Sequence, residues 1–481
     1  MATLRAQKSK ETKQKQHGIR IVPFGAIGEV TGSAYLVQTD RGDLLVDFGM
    51  FQGSRKNELR NRVPAGIRLS RLRAVLITHS HLDHVGRLPL LAKRGYRGPI
   101  YLTEATRELT ELILRDAAHL QESDVARLNR KRMRQDKPLL EPLFTPADVD
   151  RLNELYQIVR YDEPVEVMPG VWARFADAGH LLGSASIQLR IEQDGRSVIL
   201  LFSGDLGQRN APILNDYECL HRADLVIMES TYGDHDHRPI DETIREFEEI
   251  VATAVAQRGK ILVPTFAVGR AQTLLYLLAD MFYKGTVPQF PVFLDSPMAI
   301  EATQIYNRHP ELLDPEALER KIEGRFLEDF PSLKLCPTVQ DSIAINHVTG
   351  PCLILAGSGM CTGGRILHHL KENLWRPETW VLIVGYQSYG TLGRMLVEGA
   401  KKVRIFGEPI VVKARIRTLG GFSAHAGQKD LLRWIECLIP ARPRIVLTHG
   451  EDKPRRVLAQ AIEEHYGLRP EIPLPGETIE V

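Results

Sequence analysis

The chain has 481 residues, with 62 Lys and Arg against 60 Asp and Glu, 25% charged and 43% hydrophobic residues. That length suits two or three domains with a core that needs no disulfides, and the composition excludes a disordered, collagen-like or coiled-coil protein. A formal charge of +2 does not by itself indicate a nucleic-acid partner, and the longest apolar runs, 261–268 and 381–384, fall far short of the ~20 residues that cross a bilayer, so no membrane protein is expected.

The N-terminus reads MATLRAQKSKETKQKQHG, basic but without an apolar segment or a small-residue cleavage site, so it does not read as a secretory signal and a cytoplasmic protein is expected. Short apolar runs then follow at 44–46, 74–77, 198–202, 225–228, 261–263, 292–294, 353–355, 381–384 and 445–447. Buried strands alternating with helical patterns imply an α/β architecture. A helix is predicted over 241–257, with Ile244, Phe247, Ile250, Val251, Ala254 and Val255 on one face and Gly259 as its stop signal. The polar, basic stretch 123–145 reads as a helical excursion or a loop. Cys219, Cys336, Cys352, Cys361 and Cys437 show no CxxC spacing, which argues against disulfides or a thiolate metal site and fits a reducing cytosol. Basic residues gather at 5–15, 127–137 and 401–417. Such clusters can bind phosphates, although a charge run is more often a solvated face.

Five of the strands run into a titratable residue at or near the carboxyl end, the edge where α/β sheets place ligands. These residues are Asp47, His79, Asp205, Glu229 and His449. Any one of them reads as a cap or a core residue, but five together point to a site.

The strongest signal is Thr78-His79-Ser80-His81-Leu82-Asp83-His84. Imidazoles at i and i+2 project to the same side of an extended backbone, and the following turn brings Asp83 and His84 from another direction. The block can therefore serve two metals, His79 and His81 on one, Asp83 and His84 on the other. Imidazole and carboxylate without thiolate suit zinc above all, with iron and manganese as alternatives. Further candidates are His180, flanked by Gly179 and Gly183, and Asp205, placed to bridge both ions.

With these residues the sequence resembles a metallo-β-lactamase-fold hydrolase, whose pattern of an early Asp, HxHxDH, a His and a bridging Asp falls on Asp47, the block 79–84, His180 and Asp205. The resemblance implies an αββα sandwich in which Asp47 orients the His loop. Residues 206–448 separate Asp205 from His449, which implies an inserted domain. The strings Glu229-Ser230-Thr231-Tyr232-Gly233, Pro264-Thr265-Phe266-Ala267-Val268-Gly269-Arg270, Ala356-Gly357-Ser358-Gly359-Met360 and Gly421-Phe422-Ser423-Ala424-His425 resemble the β-CASP nucleases. That subgroup's extra motifs fall on Glu229, His425 and His449, and His rather than Val at the last position implies RNA rather than DNA. The family's archaeal N-terminal KH-type domain is not expected. The implied division is 1–235 and 411–481 for the metallo-β-lactamase domain and 236–410 for the β-CASP insert.

The implied chemistry is two-metal hydrolysis of a phosphodiester. Two Zn²⁺ per chain are expected, one on His79, His81 and His180, the other on Asp83, His84 and His449, with Asp205 between them. Ions about 3.5–4 Å apart lower the pKa of water to about 7 and neutralise phosphoryl oxygens. His425, held by Glu229, is the expected proton donor to the leaving oxygen. Asp205 and Asp83 serve catalysis through the metals. Backbone amides near Arg270 and Ser358 are expected to meet phosphates, in a cleft that admits single-stranded RNA. Endonuclease action is favoured and 5′-exonuclease action stays open, as does a homodimer. The rival readings are a thioester or lactam hydrolase of the same fold and a non-catalytic RNA-binding scaffold.

Overall fold

A computed structural model describes residues 18–53 and 55–481; the basic cluster at 5–15 lies outside them. Two sheets pack face to face. The first has seven strands in the order Ile479–Glu480, Arg20–Pro23, Tyr35–Thr39, Gly42–Val46, Leu72–Leu76, Ile100–Thr103, Tyr156–Val159. The second has six, in the order Arg444–Leu447, Leu225–Met228, Arg196–Phe202, Ala185–Gln193, Val171–Asp177, Val165–Met168. Side chains alternate across each strand, so each sheet buries both faces. Val46, Leu76, Phe175, Ile187, Leu200 and Val446 meet between the sheets. On the outer side of the first sheet, Leu45, Val75 and Ile77 pack against Leu88, Leu91 and Leu114. On the outer side of the second, Leu201, Val226 and Leu447 pack against Leu431, Trp434, Leu458 and Ile462. The result is a four-layer αββα sandwich.

The inserted segment builds its own parallel sheet, ordered Leu333–Leu335, Val292–Leu294, Cys352–Ala356, Lys260–Pro264, Trp380–Ile383, Arg415–Thr418. Buried on both faces, these strands read as unbroken apolar runs. Ile261, Val263 and Leu355 face Phe247, Leu274 and Leu278, while Leu262, Ile354 and Val381 face Ile366 and Leu370. Arg415–Thr418 pairs with Trp380–Ile383, so the chain leaves this sheet after residue 418.

All nine apolar runs lie in or beside strands of these sheets. The predicted helix spans Ile240–Ala256, but the left-handed residue that ends it is Arg258, at φ 55°. Gly259 serves a different purpose, since a Cβ there would lie 2.3 Å from the Glu378 carbonyl oxygen. The stretch 123–145 divides between the end of a long helix, Glu104–Met133, and an irregular return. The cysteine expectation fails for two residues: Cys219 and Cys437 form a disulfide with Cα atoms 5.9 Å apart. They are 218 positions apart, so no local spacing signals the pair; the fold brings the loop at 219 to the end of the helix Gln428–Glu436. Cys336, Cys352 and Cys361 are free and buried.

Candidate metal centre

The strands Arg196–Phe202, Leu225–Met228 and Arg444–Leu447 run parallel side by side, as do Gly42–Val46 and Leu72–Leu76. Their carboxyl ends therefore deliver Asp205, Glu229, His449, Asp47 and the block 79–84 to one edge of the sandwich. His180 reaches the same edge from the loop between Val171–Asp177 and Ala185–Gln193. Gly204, at φ 60°, brings Asp205 close beneath the His loop, where a Cβ would lie 2.9 Å from Thr78 Cβ.

Two groups of donor atoms result. In one, His79 Nε2 and His180 Nε2 each lie 3.1 Å from His81 Nδ1, with Asp205 Oδ2 3.5 Å from His79 Nε2 and 3.7 Å from His180 Nε2. In the other, His84 Nε2 and His449 Nε2 are 3.3 Å apart, and Asp83 Oδ2 is 3.6 Å from His449 Nε2. Asp205 Oδ1 stands between the groups, 3.4 Å from both His84 Nε2 and His449 Nδ1, and is buried without a hydrogen-bond partner.

The outer nitrogens are committed. His180 Nδ1 donates to the Ala424 carbonyl at 2.8 Å, and His84 Nδ1 lies 2.8 Å from Asp47 Oδ2. Asp47 also accepts from the Thr78 amide and hydroxyl, each at 2.8 Å. The inward Nε2 atom of His180 is thereby left as a lone pair, and Asp47 aims the His84 ring so that its Nε2 faces Asp205 and His449. Burial, reinforced by neighbouring imidazoles, holds His79 and His180 well below the usual histidine pKa, and burial takes His81 to about 4. Burial opposes charge on His84 too, but Asp205 and Asp47 outweigh it and raise its pKa. Burial would likewise raise Asp205, yet His449 and His84 drive it well below the carboxylate range. The neutral imidazoles of His79, His81 and His180, converging with His84 and His449 on ionised carboxylates and with an orphaned carboxylate oxygen among them, fit divalent cations. Among the described residues, Asp205, Glu229 and His449 also come together as a third such group.

Beside the donors, His425 Nδ1 lies 3.3 Å from Glu229 Oε1 and 3.9 Å from Asp205 Oδ2. Burial disfavours charge on this ring, but Glu229 and then Asp205 raise its pKa to about 9. Glu229 is fixed by the amides of Leu206, 2.7 Å, and Thr231, 3.2 Å. Arg270 opens the helix Arg270–Lys284. A Cβ on the preceding Gly269 would lie 3.2 Å from Leu181 Cδ1, so this helix start packs on the loop carrying His180. The buried Nε of Arg270 has no partner. Ser358 is placed differently from expectation: its hydroxyl accepts from the Thr362 and Gly363 amides at 2.9 and 3.2 Å, and its own amide donates to the Gly363 carbonyl. Those groups are spent within the loop.

Sequence reasoning passed over Thr78, which links Asp47 to His79, and Tyr232 and His237. The Tyr232 ring stands 4.4 Å from His237 and 6.1 Å from His425, and His237 Nε2 donates to the His425 carbonyl at 3.0 Å. The HxH string His235-Asp236-His237 was the available signal.

A sandwich whose one edge gathers imidazoles and carboxylates in this way defines a metal-dependent hydrolase. The sequence matches the metallo-beta-lactamase superfamily over residues 27–234, the Beta-Casp domain over 271–396 and the Zn-dependent metallo-hydrolase RNA specificity domain over 409–473. It is 42% identical over 444 residues to Ribonuclease TTHA0252 of Thermus thermophilus, covering 92% of this chain and 96% of that one. It is 31% identical to the transcription termination factor FttA of Pyrococcus abyssi, covering 98% of this chain and 72% of that one. A crystal structure of a protein of unknown function from Enterococcus faecalis shares the fold, with a TM-score of 0.53 and 14% identity over 97% of this chain and 100% of that one. The chain belongs to the β-CASP ribonuclease family of metallo-β-lactamase-fold hydrolases.

Proposed function

We propose that this protein is a zinc-dependent ribonuclease that hydrolyses phosphodiester bonds of single-stranded RNA, chiefly as an endonuclease, in the cytoplasm. The convergence of two donor groups on Asp205, beside the Glu229–His425 pair, carries this reading. His79, His81 and His180 would hold one Zn²⁺, Asp83, His84 and His449 a second, and Asp205 would reach both. Two such ions supply Lewis acidity at the phosphoryl oxygens and ionise water near neutral pH.

The remaining work falls to the chain. Burial again opposes ionisation of Asp83, but its hydrogen bond to His449 keeps its pKa at about 2, so it holds His449 as a carboxylate. Glu229 grips His425 at Nδ1, which leaves Nε2 to protonate the leaving sugar oxygen. Arg270, half-buried with an unpartnered Nε, would meet an RNA phosphate. We further propose that 1–235 and 411–481 make up the metallo-β-lactamase domain and 236–410 the β-CASP insert, with the strand Arg415–Thr418 joining the insert's sheet from beyond that boundary.

Single-stranded RNA labelled at either end, incubated with and without chelator, tests the activity. Internal products that disappear with chelator are expected, and no cleavage by zinc-replete protein would refute the reading. His425→Ala should retain both metals yet lose at least 100-fold in rate, in line with a general-acid contribution of roughly 10²–10⁴; metal loss or a near-normal rate would overturn the assignment of His425.

A further inference from the structure

Six aromatic side chains are strongly exposed among the described residues. Three of them carry a partner: Arg325 lies 4.0 Å from the Tyr283 ring, Arg376 4.8 Å from Trp375 and His368 4.7 Å from Phe406. The other three, Phe266, Tyr386 and Tyr389, are 46%, 59% and 92% exposed, and no ring or cation covers them among the described residues. They belong to two neighbouring loops. Phe266 follows Lys260–Pro264, and Tyr386 and Tyr389 follow Trp380–Ile383, the adjacent parallel strand. Both loops thus leave the carboxyl edge of the inserted sheet.

Phe266 and Tyr386 sit on a braced surface. A Cβ on Gly359 would lie 2.8 Å from Phe266 Cδ2, and one on Gly385 would lie 3.7 Å from Phe266 Cε2, so the phenyl ring lies against two glycines. Gln387 Nε2 donates to the Gly359 carbonyl at 2.9 Å, which ties the loop of Tyr386 to the loop after Cys352–Ala356 on which Phe266 rests. Tyr386 and Arg270 both act electrostatically on Tyr232, whose ring stands against His425. Uncovered aromatic faces therefore stand at the start of the loop that leads to Arg270, whose helix start packs on the loop carrying His180 and whose Nε is buried without a partner.

Every nucleobase has a π-face, and stacking on an aromatic side chain requires that the base be free of its own strand neighbours. We propose that Phe266 and Tyr386 form a base-stacking subsite for unpaired RNA, beside the phosphate at Arg270. The inference rests on the ribonuclease reading of the metal centre and adds to it a structural source of preference for single strands.

The test uses the full-length, metal-loaded His425→Ala chain and fluorescein-labelled single-stranded oligouridylate, read by anisotropy. Adding Phe266→Ala and Tyr386→Ala together should weaken binding at least tenfold, the lower range of what aromatic stacking contributes per base, with melting temperature and metal content unchanged. Tyr283→Ala, exposed but covered by Arg325, should bind as its parent does. In a Phe266→Trp chain, affinity should persist and RNA should quench the new indole. An oligomer with abasic positions should bind the parent as weakly as uridylate binds the double variant, with no further loss on that variant. Unchanged affinity of the double variant, or equal affinity for the abasic oligomer, would overturn the subsite while wild-type cleavage of RNA leaves the ribonuclease reading standing. If the parent binds no RNA and the wild type cleaves none, both fall.

Discussion

Replacing Asp47 by Asn changes one oxygen into an amide and, on the proposed two-ion reading, should weaken metal binding at the group of Asp83, His84 and His449. Asp47 sits at φ 58°, a region that Asn tolerates at least as well, so the backbone is not the target. The carboxylate accepts three hydrogen bonds, from the Thr78 amide, the Thr78 hydroxyl and His84 Nδ1. An amide oxygen can keep the first. Its NH2 then faces the other two, and as a donor it binds the lone pair of His84 Nδ1. The imidazole proton is driven to Nε2, which points at His449 Nε2 and Asp205 Oδ1. For His84 to act as a ligand it must return to the other tautomer and set N–H against N–H, at a cost of about 1–3 kcal/mol for the lost hydrogen bond. That is roughly 10- to 100-fold in affinity, the range seen when partners of ligating histidines are removed. His79, His81 and His180 do not touch Asp47, so the loss should be confined to the site of Asp83, His84 and His449. Elemental analysis after dialysis against graded chelator should show occupancy falling from two ions per chain toward one, with the circular dichroism unchanged. Two ions held with wild-type affinity would refute the tautomer argument.

Gly49→Ala should displace the segment carrying Asp83 and His84, because the new Cβ would lie 1.4 Å from the Asp83 carbonyl oxygen and 2.5 Å from the His84 amide nitrogen; reduced metal content together with a lower melting temperature is expected. Trp434 is fully buried against the outer face of the second sheet, so Trp434→Ala should destabilise by about 3–5 kcal/mol in denaturant titration, whereas a loss under 1 kcal/mol would contradict this packing. Burial, moderated by the Gly179 amide, raises the Asp177 pKa from 3.8 to about 7. A raised carboxyl pKa means the folded state holds the proton more tightly, so this residue's stabilising contribution falls as pH climbs from about 4 to 7. Asp177→Asn should flatten that part of the urea-midpoint profile, and an unchanged slope would remove Asp177 as its source.

Much of this centre was legible because parallel strands leave their ends on one edge: a run such as 198–202 followed by Asp205, or 445–447 followed by His449, announces both the strand and where its last polar residue will stand. The inserted sheet was legible for the same reason, its strands being apolar on both faces. The antiparallel strands Val171–Asp177 and Ala185–Gln193 alternate with polar and charged residues and gave no comparable run. Contacts that depend on distant chain meeting distant chain were also hidden. Cys219 finds Cys437 only through the fold, and the carbonyl of Ala424 fixes His180 from a loop that belongs to another stretch of the sequence. Near Ser358 the pattern could not show where the backbone amide points, because a glycine-flanked serine reads the same whether its N–H faces a cleft or, as here, its own loop at Gly363.

His449 rides on Arg444–Leu447, a strand that pairs with Leu225–Met228 only after the whole insert has been threaded between them. A growing polypeptide therefore cannot bring His449 beside Asp205 until the insert and the strand Arg444–Leu447 have been made. The two donor groups around Asp205 thus close only when the strand Arg444–Leu447 docks beside Leu225–Met228.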